Sequence, residues 1–221
     1  MNGDQLFITI IEVLGTIAFA ISGIRLAAAK RFDWFGAYVV GLVTAIGGGT
    51  VRDVLLDIPV FWMLSFRYLG VTGLALATVI VFRQALVRGM RTLFIFDAIG
   101  LALFVVVGIQ KTLAAGYPMW VAIVMGIITG SFGGIIRDIL INEEPLFFRK
   151  DIYATACLAG GVAYYLVSLI DAPIWIPQAI CAITIVGLRV LAVHYDWSLP
   201  ILKVDEKSLP DDQQFKDGQH A

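Results

Sequence analysis

Seven apolar runs, separated by short polar segments, divide the first 195 residues of the chain. Most of the runs contain about 20 residues, the length that an α-helix needs to cross about 30 Å of hydrocarbon. We predict one transmembrane helix for each run, at about 6–29, 34–57, 66–86, 91–111, 118–141, 151–170 and 174–195. The third run is the weakest, because only residues 68–82 are free of charge. The pattern therefore predicts an all-α integral membrane protein with a single transmembrane domain over 1–197.

The composition supports this prediction. Hydrophobic residues make up 59% of the 221 residues and charged residues only 15%, whereas a soluble domain needs more charge on its surface. The lipid bilayer is therefore the expected environment, and the net charge of −1 gives no reason to expect a nucleic-acid partner. After Trp197 the sequence becomes polar, and we expect 198–221 to form a disordered cytoplasmic tail.

The positions of Lys and Arg predict how the chain is oriented in the membrane. With the N-terminus outside, all but three of the 16 Lys and Arg residues fall on the cytoplasmic side; the exceptions are Arg52, Arg67 and Lys111. The first run has no basic segment before it and no small-residue cleavage site after it, so we interpret it as a membrane span rather than a signal peptide. We therefore expect an outer N-terminus and a cytoplasmic C-terminus.

An internal repeat organises the seven runs. Sliding the sequence by 85 residues without gaps places similar polar residues and glycines on one another. The aligned pairs include Thr44 with Thr129, Gly48 with Gly133, Gly49 with Gly134, Arg52 with Arg137, Asp53 with Asp138, Tyr68 with Tyr153, and Glu12 with Asp97. Each copy contains three helices, an odd number, so the second copy enters the membrane from the opposite face. We predict two inverted repeats, at about 6–86 and 91–170, followed by a seventh helix at about 174–195.

Adjacent glycines stand near the middle of helices two and five, in "TAIGGGTVRD" at 44–53 and "TGSFGGIIRD" at 129–138. Glycine weakens a helix by about 1 kcal/mol relative to alanine, and backbone groups freed in lipid find no water. We therefore expect both helices to be broken there, beside a polar path where helix-end carbonyls attract a cation. Alternatively, the glycines only let two helices approach closely. The glycines concerned are Gly47, Gly48, Gly49, Gly133 and Gly134.

An Arg-Asp pair follows each glycine group. Neighbouring residues point about 100° apart on a helix, so we do not expect Arg52 and Asp53 to satisfy each other. Similar depth in the membrane predicts ion pairs between Glu12 and Arg52 and, in the second repeat, between Asp97 and Arg137. Alternatively, both arginines extend to the lipid headgroups. The charged residues expected near the path are Glu12, Arg52, Asp53, Asp97, Arg137 and Asp138.

Hydroxyl groups beside the glycines are further candidates for lining a path, namely those of Thr44, Thr129 and Ser131. The alternative is that each bonds to its own helix backbone. Arg189, near the inner end of helix seven, is expected to extend to the membrane surface. The sequence contains no nucleophile–base set, phosphate-binding loop or Cys/His cluster, so we expect neither an enzyme nor a resident metal or cofactor.

The three-plus-three-plus-one plan, with "GGGTVRD" in helix two and "GGIIRD" in helix five, resembles the bacterial branch of the trimeric intracellular cation channel (TRIC) family over about residues 5–195. The resemblance implies a homotrimer in the bacterial inner membrane. It also implies one hourglass pore per subunit, passing monovalent cations and chiefly K⁺, with the constriction at the glycines. The second motif departs from this pattern, since Phe132 stands where a glycine would match Gly47.

Two kinds of transport protein fit these observations. A channel needs a continuous hydrated path with weak ion sites. A carrier needs a midplane site and two access states, and inverted repeats are equally typical of carriers. Bacterial sequences of this kind have also been described as glycine transporters, so a secondary transporter of a small solute such as glycine is the alternative. A purely structural membrane protein is a third interpretation, which the repeated intramembrane charges disfavour. The family resemblance favours the channel.

Overall fold

The computed structural model describes residues 3–82, 90–149, 152–170 and 172–200, apart from the side chains of 3–5 and 90–93. Within these residues the chain forms seven α-helices and a short 3-10 helix at Phe61–Leu64. The helices are α1 (Gly3–Ala29), α2 (Trp34–Leu55), α3 (Arg67–Val81), α4 (Met90–Ala114), α5 (Met119–Leu140), α6 (Ala154–Ser168) and α7 (Trp175–His194). All seven predicted helices are confirmed. The expected tail lies outside the described residues from position 201 onward.

The chain is a multi-pass membrane protein. Five of the helices described, α1, α2, α4, α5 and α7, are long and apolar enough to cross a membrane. The other two, α3 and α6, have 15 residues each, or about 22 Å at 1.5 Å per residue, less than the hydrocarbon thickness of about 30 Å. Both short helices are the third of their repeat, so the difference in length is itself repeated.

The two repeats are related in detail. Asp57 and Asn142, 85 residues apart, follow α2 and α5 and both have a positive φ, at 53° and 55°. A residue in this left-handed conformation is a common way for a helix to end. The carbonyl groups of Asp53 and Asp138 each accept a hydrogen bond from the backbone five residues later, at 3.0 and 2.9 Å. Equivalent residues therefore end the second helix of each repeat in the same way.

Side-chain contacts show that the second repeat is inverted relative to the first. Lys111, near the end of α4, forms an ion pair with Glu12, near the start of α1. Ser22, in the second half of α1, accepts a hydrogen bond from Arg137, which also binds Asp97 near the start of α4. α1 and α4 therefore run antiparallel. We call the two ends of the bundle the Glu12 end and the Asp97 end.

The contact between α2 and α5 lies at the centre of the bundle, and α1 and α4 pack beside it. α7 has no counterpart in the first repeat and packs against α6 and α4. Two of its side chains, Cys181 and Ile185, are completely buried. α7 therefore extends the core of the second repeat only, and it makes the two halves of the molecule unequal.

Candidate functional site

The glycine groups lie where α2 crosses α5. A Cβ atom added at Gly48 would lie less than 3.0 Å from the carbonyl oxygen of Thr129, and one added at Gly133 would meet the carbonyl oxygen of Thr44 at the same separation. Real Cβ atoms do not approach backbone oxygens so closely. These two glycines therefore allow backbone-to-backbone contact between the helices. Equivalent residues of the two repeats make the contact from each side, Gly48 with Thr129 and Gly133 with Thr44.

Both helices continue as α-helix without interruption through their glycines. The expected breaks thus do not appear as non-helical segments, and a bend within the continuous helices stays a prediction. The close approach explains the glycines physically, because a crossing without room for a Cβ needs glycine whether or not the helix is broken. A continuous helix also places Arg52 and Arg137 in the last turns of α2 and α5, where the helix dipole favours a cation.

The remaining glycines of the motifs make room for other groups. A Cβ at Gly47 would lie 3.2 Å from Ile136 Cδ1 and 3.5 Å from the Cα atom of Gly133. One at Gly49 would come within 3.0 Å of the Phe61 ring, and one at Gly134 would lie 3.2 Å from the hydroxyl group of Tyr153. Gly49 and Gly134 therefore face aromatic side chains of their own repeats.

The three candidate hydroxyl groups all donate to backbone carbonyls one helical turn earlier. Thr44 donates to Val40, Thr129 to Met125 and Ser131 to Ile127, each at 2.6 Å. All three side chains are buried. Their protons are therefore engaged within the helix, as the alternative interpretation expected, while the oxygen lone pairs stay available as acceptors. Their role in lining a path stays a prediction.

The expectation that Arg52 and Asp53 do not satisfy each other is wrong. Arg52 donates from Nε and Nη2 to one carboxylate oxygen of Asp53, at 2.8 and 2.6 Å. The second oxygen accepts the backbone N–H of Phe61, at 2.9 Å. Although the Cα–Cβ bonds diverge, the guanidinium group on its long side chain bends round to reach the neighbouring carboxylate. Asp53 thus attaches the loop after α2 to the end of that helix.

The second repeat contains the same arrangement. Arg137 Nε donates to Asp138 Oδ1 at 2.8 Å, and the backbone N–H of Leu146 donates to Asp138 Oδ2 at 3.1 Å. Leu146 is the repeat equivalent of Phe61. The Arg-Asp pairs therefore have a structural role in both repeats, in addition to any role in transport.

The structure brings Asp97 and Arg137 together. Arg137 Nη1 donates to Asp97 Oδ1 at 2.6 Å and to the hydroxyl oxygen of Ser22 at 2.7 Å. Only 1% of each charged side chain is exposed. At the Asp97 end, a compact buried cluster thus links α1, α4 and α5.

Glu12 has different partners from the one expected. Its carboxylate forms an ion pair with Lys111 and accepts a hydrogen bond from the hydroxyl group of Tyr68 at 3.1 Å, while Arg67 lies 4.0 Å away. Arg52, the expected partner, is engaged by Asp53 instead. The antiparallel packing of α1 and α4 could have predicted Lys111, because it places the end of α4 beside the start of α1.

The prediction that Arg189 extends to the membrane surface is wrong. Only 4% of its side chain is exposed, and its Nη2 atom lies 3.5 Å from Asp97 Oδ2. The guanidinium group lies over the rings of Phe94 and Tyr153, at 4.9 and 4.7 Å. α7 therefore contributes a second buried cation to the Asp97 end, and no sequence signal for this was available, since α7 is not repeated.

An ion pair between Lys30 and Glu143 joins two loops at the Asp97 end. Lys30 follows α1, Glu143 follows α5, and their charged groups are 2.5 Å apart. The hydrogen bond from Lys30 lowers the pKa of the Glu143 carboxyl group. Both side chains are exposed, so this pair contributes little to stability.

We expect a double-mutant cycle to assign the partner of Glu12. Glu12→Gln and Lys111→Gln should be coupled by about 1 kcal/mol, because each change removes one side of the same ion pair. Glu12→Gln and Arg52→Gln should be additive to within about 0.5 kcal/mol. Thermal unfolding of the purified single and double variants in detergent provides the measurement. Coupling of Glu12 to Arg52 but not to Lys111 would contradict the structure.

The repeat is also visible in a comparison with protein families. A family model described as Glycine transporter matches residues 9–84 and 94–168. These two segments begin 85 residues apart, the same offset that relates the two halves of the sequence. Each segment covers the three helices of one repeat, and α7 lies outside both.

The chain is similar to proteins that are known from sequence and from structure. It is 40% identical to the UPF0126 inner membrane protein YadS of Escherichia coli (strain K12) over 202 residues, which is 89% of this chain and 96% of YadS. Its structure resembles the TRIC trimeric intracellular cation channel orthologue from Rhodobacter sphaeroides, with a TM-score of 0.82 and 31% identity over 86% of this chain and 99% of that one. A prokaryotic TRIC channel in 0.5 M KCl gives a TM-score of 0.79 and 30% identity over 88% and 100% of the chains. Both structural neighbours are channels, which agrees with the expectation that the chain is not an enzyme.

Proposed function

Because the chain belongs both to the family described as Glycine transporter and to the TRIC cation channels, we propose that it is a cation channel that passes monovalent cations, chiefly K⁺. We further propose that it works as a homotrimer in the bacterial inner membrane, with one path through each subunit. The relatives named as trimeric channels and as an inner membrane protein support these points.

One observation carries the proposal. The repeat places a buried carboxylate on each side of the α2–α5 crossing, Glu12 towards one end of the bundle and Asp97 towards the other. Ionisable groups in a membrane are costly and usually mark ion pathways. Because each carboxylate is ion-paired in this structure, the choice of cations over anions rests on the similarity to the TRIC cation channels. We place the constriction between them, at the contact of Gly48 and Gly133 with the opposite helix.

A secondary transporter of a small solute such as glycine is the second candidate. It is favoured by the description of the matching family model and by the inverted repeat, which carriers commonly use to alternate between two access states. In that case the same crossing would separate two half-sites, and the substrate would bind between Glu12 and Asp97.

Flux measurements in proteoliposomes separate the two candidates. We expect the reconstituted protein to release K⁺ down its gradient, at a rate that rises without saturation as the gradient is increased. Labelled glycine should not accumulate in vesicles preloaded with unlabelled glycine. Glycine counterflow without K⁺ release would favour the carrier, and empty vesicles provide the control.

The proposed orientation in the membrane has its own test. In a background carrying Cys157→Ala and Cys181→Ala, a cysteine at Gly3 should react with an impermeant thiol reagent added to intact cells, because the distribution of Lys and Arg predicts an outer N-terminus. A cysteine at Gln213 should react only after permeabilisation. The reverse pattern would show that the Glu12 end faces the cytoplasm.

A further inference from the structure

The two ends of the bundle differ in how their repeat-equivalent acids are satisfied. At the Glu12 end both carboxylate oxygens have partners, Lys111 on Oε1 and the hydroxyl group of Tyr68 on Oε2. At the Asp97 end Arg137 binds Oδ1, but Oδ2 is buried without a hydrogen bond. The hydroxyl group of Tyr153, the equivalent of Tyr68, is likewise buried without a partner.

The chemistry of the two acids explains this difference. Aspartate is one methylene shorter than glutamate, and the carboxylate–tyrosine hydrogen bond of the first repeat is not formed in the second. Two buried oxygen atoms are thus left without donors in one cluster. Buried oxygens without partners are unfavourable, and oxygen atoms of this kind are the ligands that hard cations prefer.

Besides Arg137, a cation from outside the repeat lies beside these oxygens. Ile152 and Leu26 occupy the positions that correspond to Arg67 and Lys111, so the Asp97 end has no cation in those two places. Arg189 of α7 fills that role, with Nη2 3.5 Å from Asp97 Oδ2 and the guanidinium group over the Tyr153 ring. It makes no hydrogen bond to Oδ2, and its Nε atom also lacks a partner. Arg189 and Asp97 therefore form an ion pair without a hydrogen bond.

We propose that Asp97 Oδ2 and the hydroxyl oxygen of Tyr153 form a monovalent-cation site that the guanidinium group of Arg189 keeps closed. The charges support an exchange. Withdrawal of Arg189 removes one positive charge from a buried cluster, and one monovalent cation replaces that charge. The proposal extends the proposed function by naming a cation site at the Asp97 end and the residue of α7 that controls it.

Removal of the Arg189 charge should make stability depend on K⁺. We expect Arg189→Gln to melt about 3–5 °C higher in KCl than in N-methylglucamine chloride of equal ionic strength, because K⁺ binds the folded state. The parent protein and Arg189→Lys should show no such difference. Arg67→Gln is the matched control, since it removes a loosely placed cation beside Glu12, whose oxygens already have partners.

Three further variants make the result decisive. Adding Asp97→Asn to Arg189→Gln should abolish the K⁺ dependence, and adding Tyr153→Phe should reduce it. Arg189→Leu removes the same charge with a side chain that suits the packing against Phe94 and Tyr153. The proposal is overturned if Arg189→Gln melts equally in both salts, if the dependence survives Asp97→Asn, or if neither charge-removing variant folds in KCl. None of these results depends on ion flux, so they are distinguishable from a failure of the proposed channel function.

Discussion

Gly48→Ala and Gly133→Ala are each expected to lower the melting temperature of the purified protein by about 2–12 °C, with similar effects at the two sites. Each added methyl group would meet a backbone carbonyl of the opposite helix at less than 3.0 Å. Backbone cannot turn aside as a side chain can, so α2 and α5 must separate. Overpacking of this kind costs about 1–3 kcal/mol or more, and about 2–4 °C per kcal/mol is usual for a chain of this length.

The same substitution at Gly70 and Gly73 of α3 provides the control. A Cβ at either position would meet nothing within 4 Å, and alanine favours a helix by about 1 kcal/mol over glycine. These two variants should therefore melt at the parent temperature or slightly above it. If Gly48→Ala were as stable as Gly70→Ala, the helices would not cross as closely as described.

Asp97→Asn is expected to destabilise the protein by about 3–5 kcal/mol, the usual cost of removing one partner from a buried ion pair. The change leaves Arg137 with Asp138 and Ser22 and, among the residues that the structure describes, removes the acid that pairs with Arg189, although both arginines are almost fully buried. Thermal unfolding and the yield of folded protein after detergent extraction measure the effect.

Glu12→Gln tests the contrast between the two ends of the bundle. Its main partner, Lys111, is 27% exposed and can turn towards the outside of the bundle when the carboxylate is neutralised. The free energy of unfolding should therefore fall by about 1 kcal/mol, which is close to the contribution of an exposed ion pair. If Glu12→Gln and Asp97→Asn lowered the free energy of unfolding equally, the contrast between a partly exposed pair at Glu12 and a buried cluster at Asp97 would be wrong.

The helices and the repeat could be predicted from the sequence because both depend on patterns along the chain. Apolar runs of membrane-crossing length locate the helices, and the fixed offset of 85 residues aligns Gly48 with Gly133 and Arg52 with Arg137. The depth argument placed Asp97 near Arg137, where the structure has them in contact. It failed for Glu12, because depth does not determine which of several cations at one level makes the contact.

The role of the glycines was open in the sequence for a physical reason. A break in a helix and a close helix crossing both require the absence of a Cβ atom, so the same residues suit either. The structure shows the close crossing, with the Thr129 carbonyl against Gly48, while a bend in the two helices stays a prediction. Arg189 was beyond prediction for a different reason, since nothing in the repeat indicates which face of α7 turns towards Asp97.

Single-channel recording tests the proposed function most directly. The purified protein, incorporated into a planar bilayer between unequal KCl solutions, should give unitary currents that reverse close to the equilibrium potential of K⁺, because the related TRIC structures are those of cation channels. Currents that reverse at the Cl⁻ potential would contradict the cation path. An absence of unitary currents from protein that is shown to be folded and incorporated would contradict the channel itself.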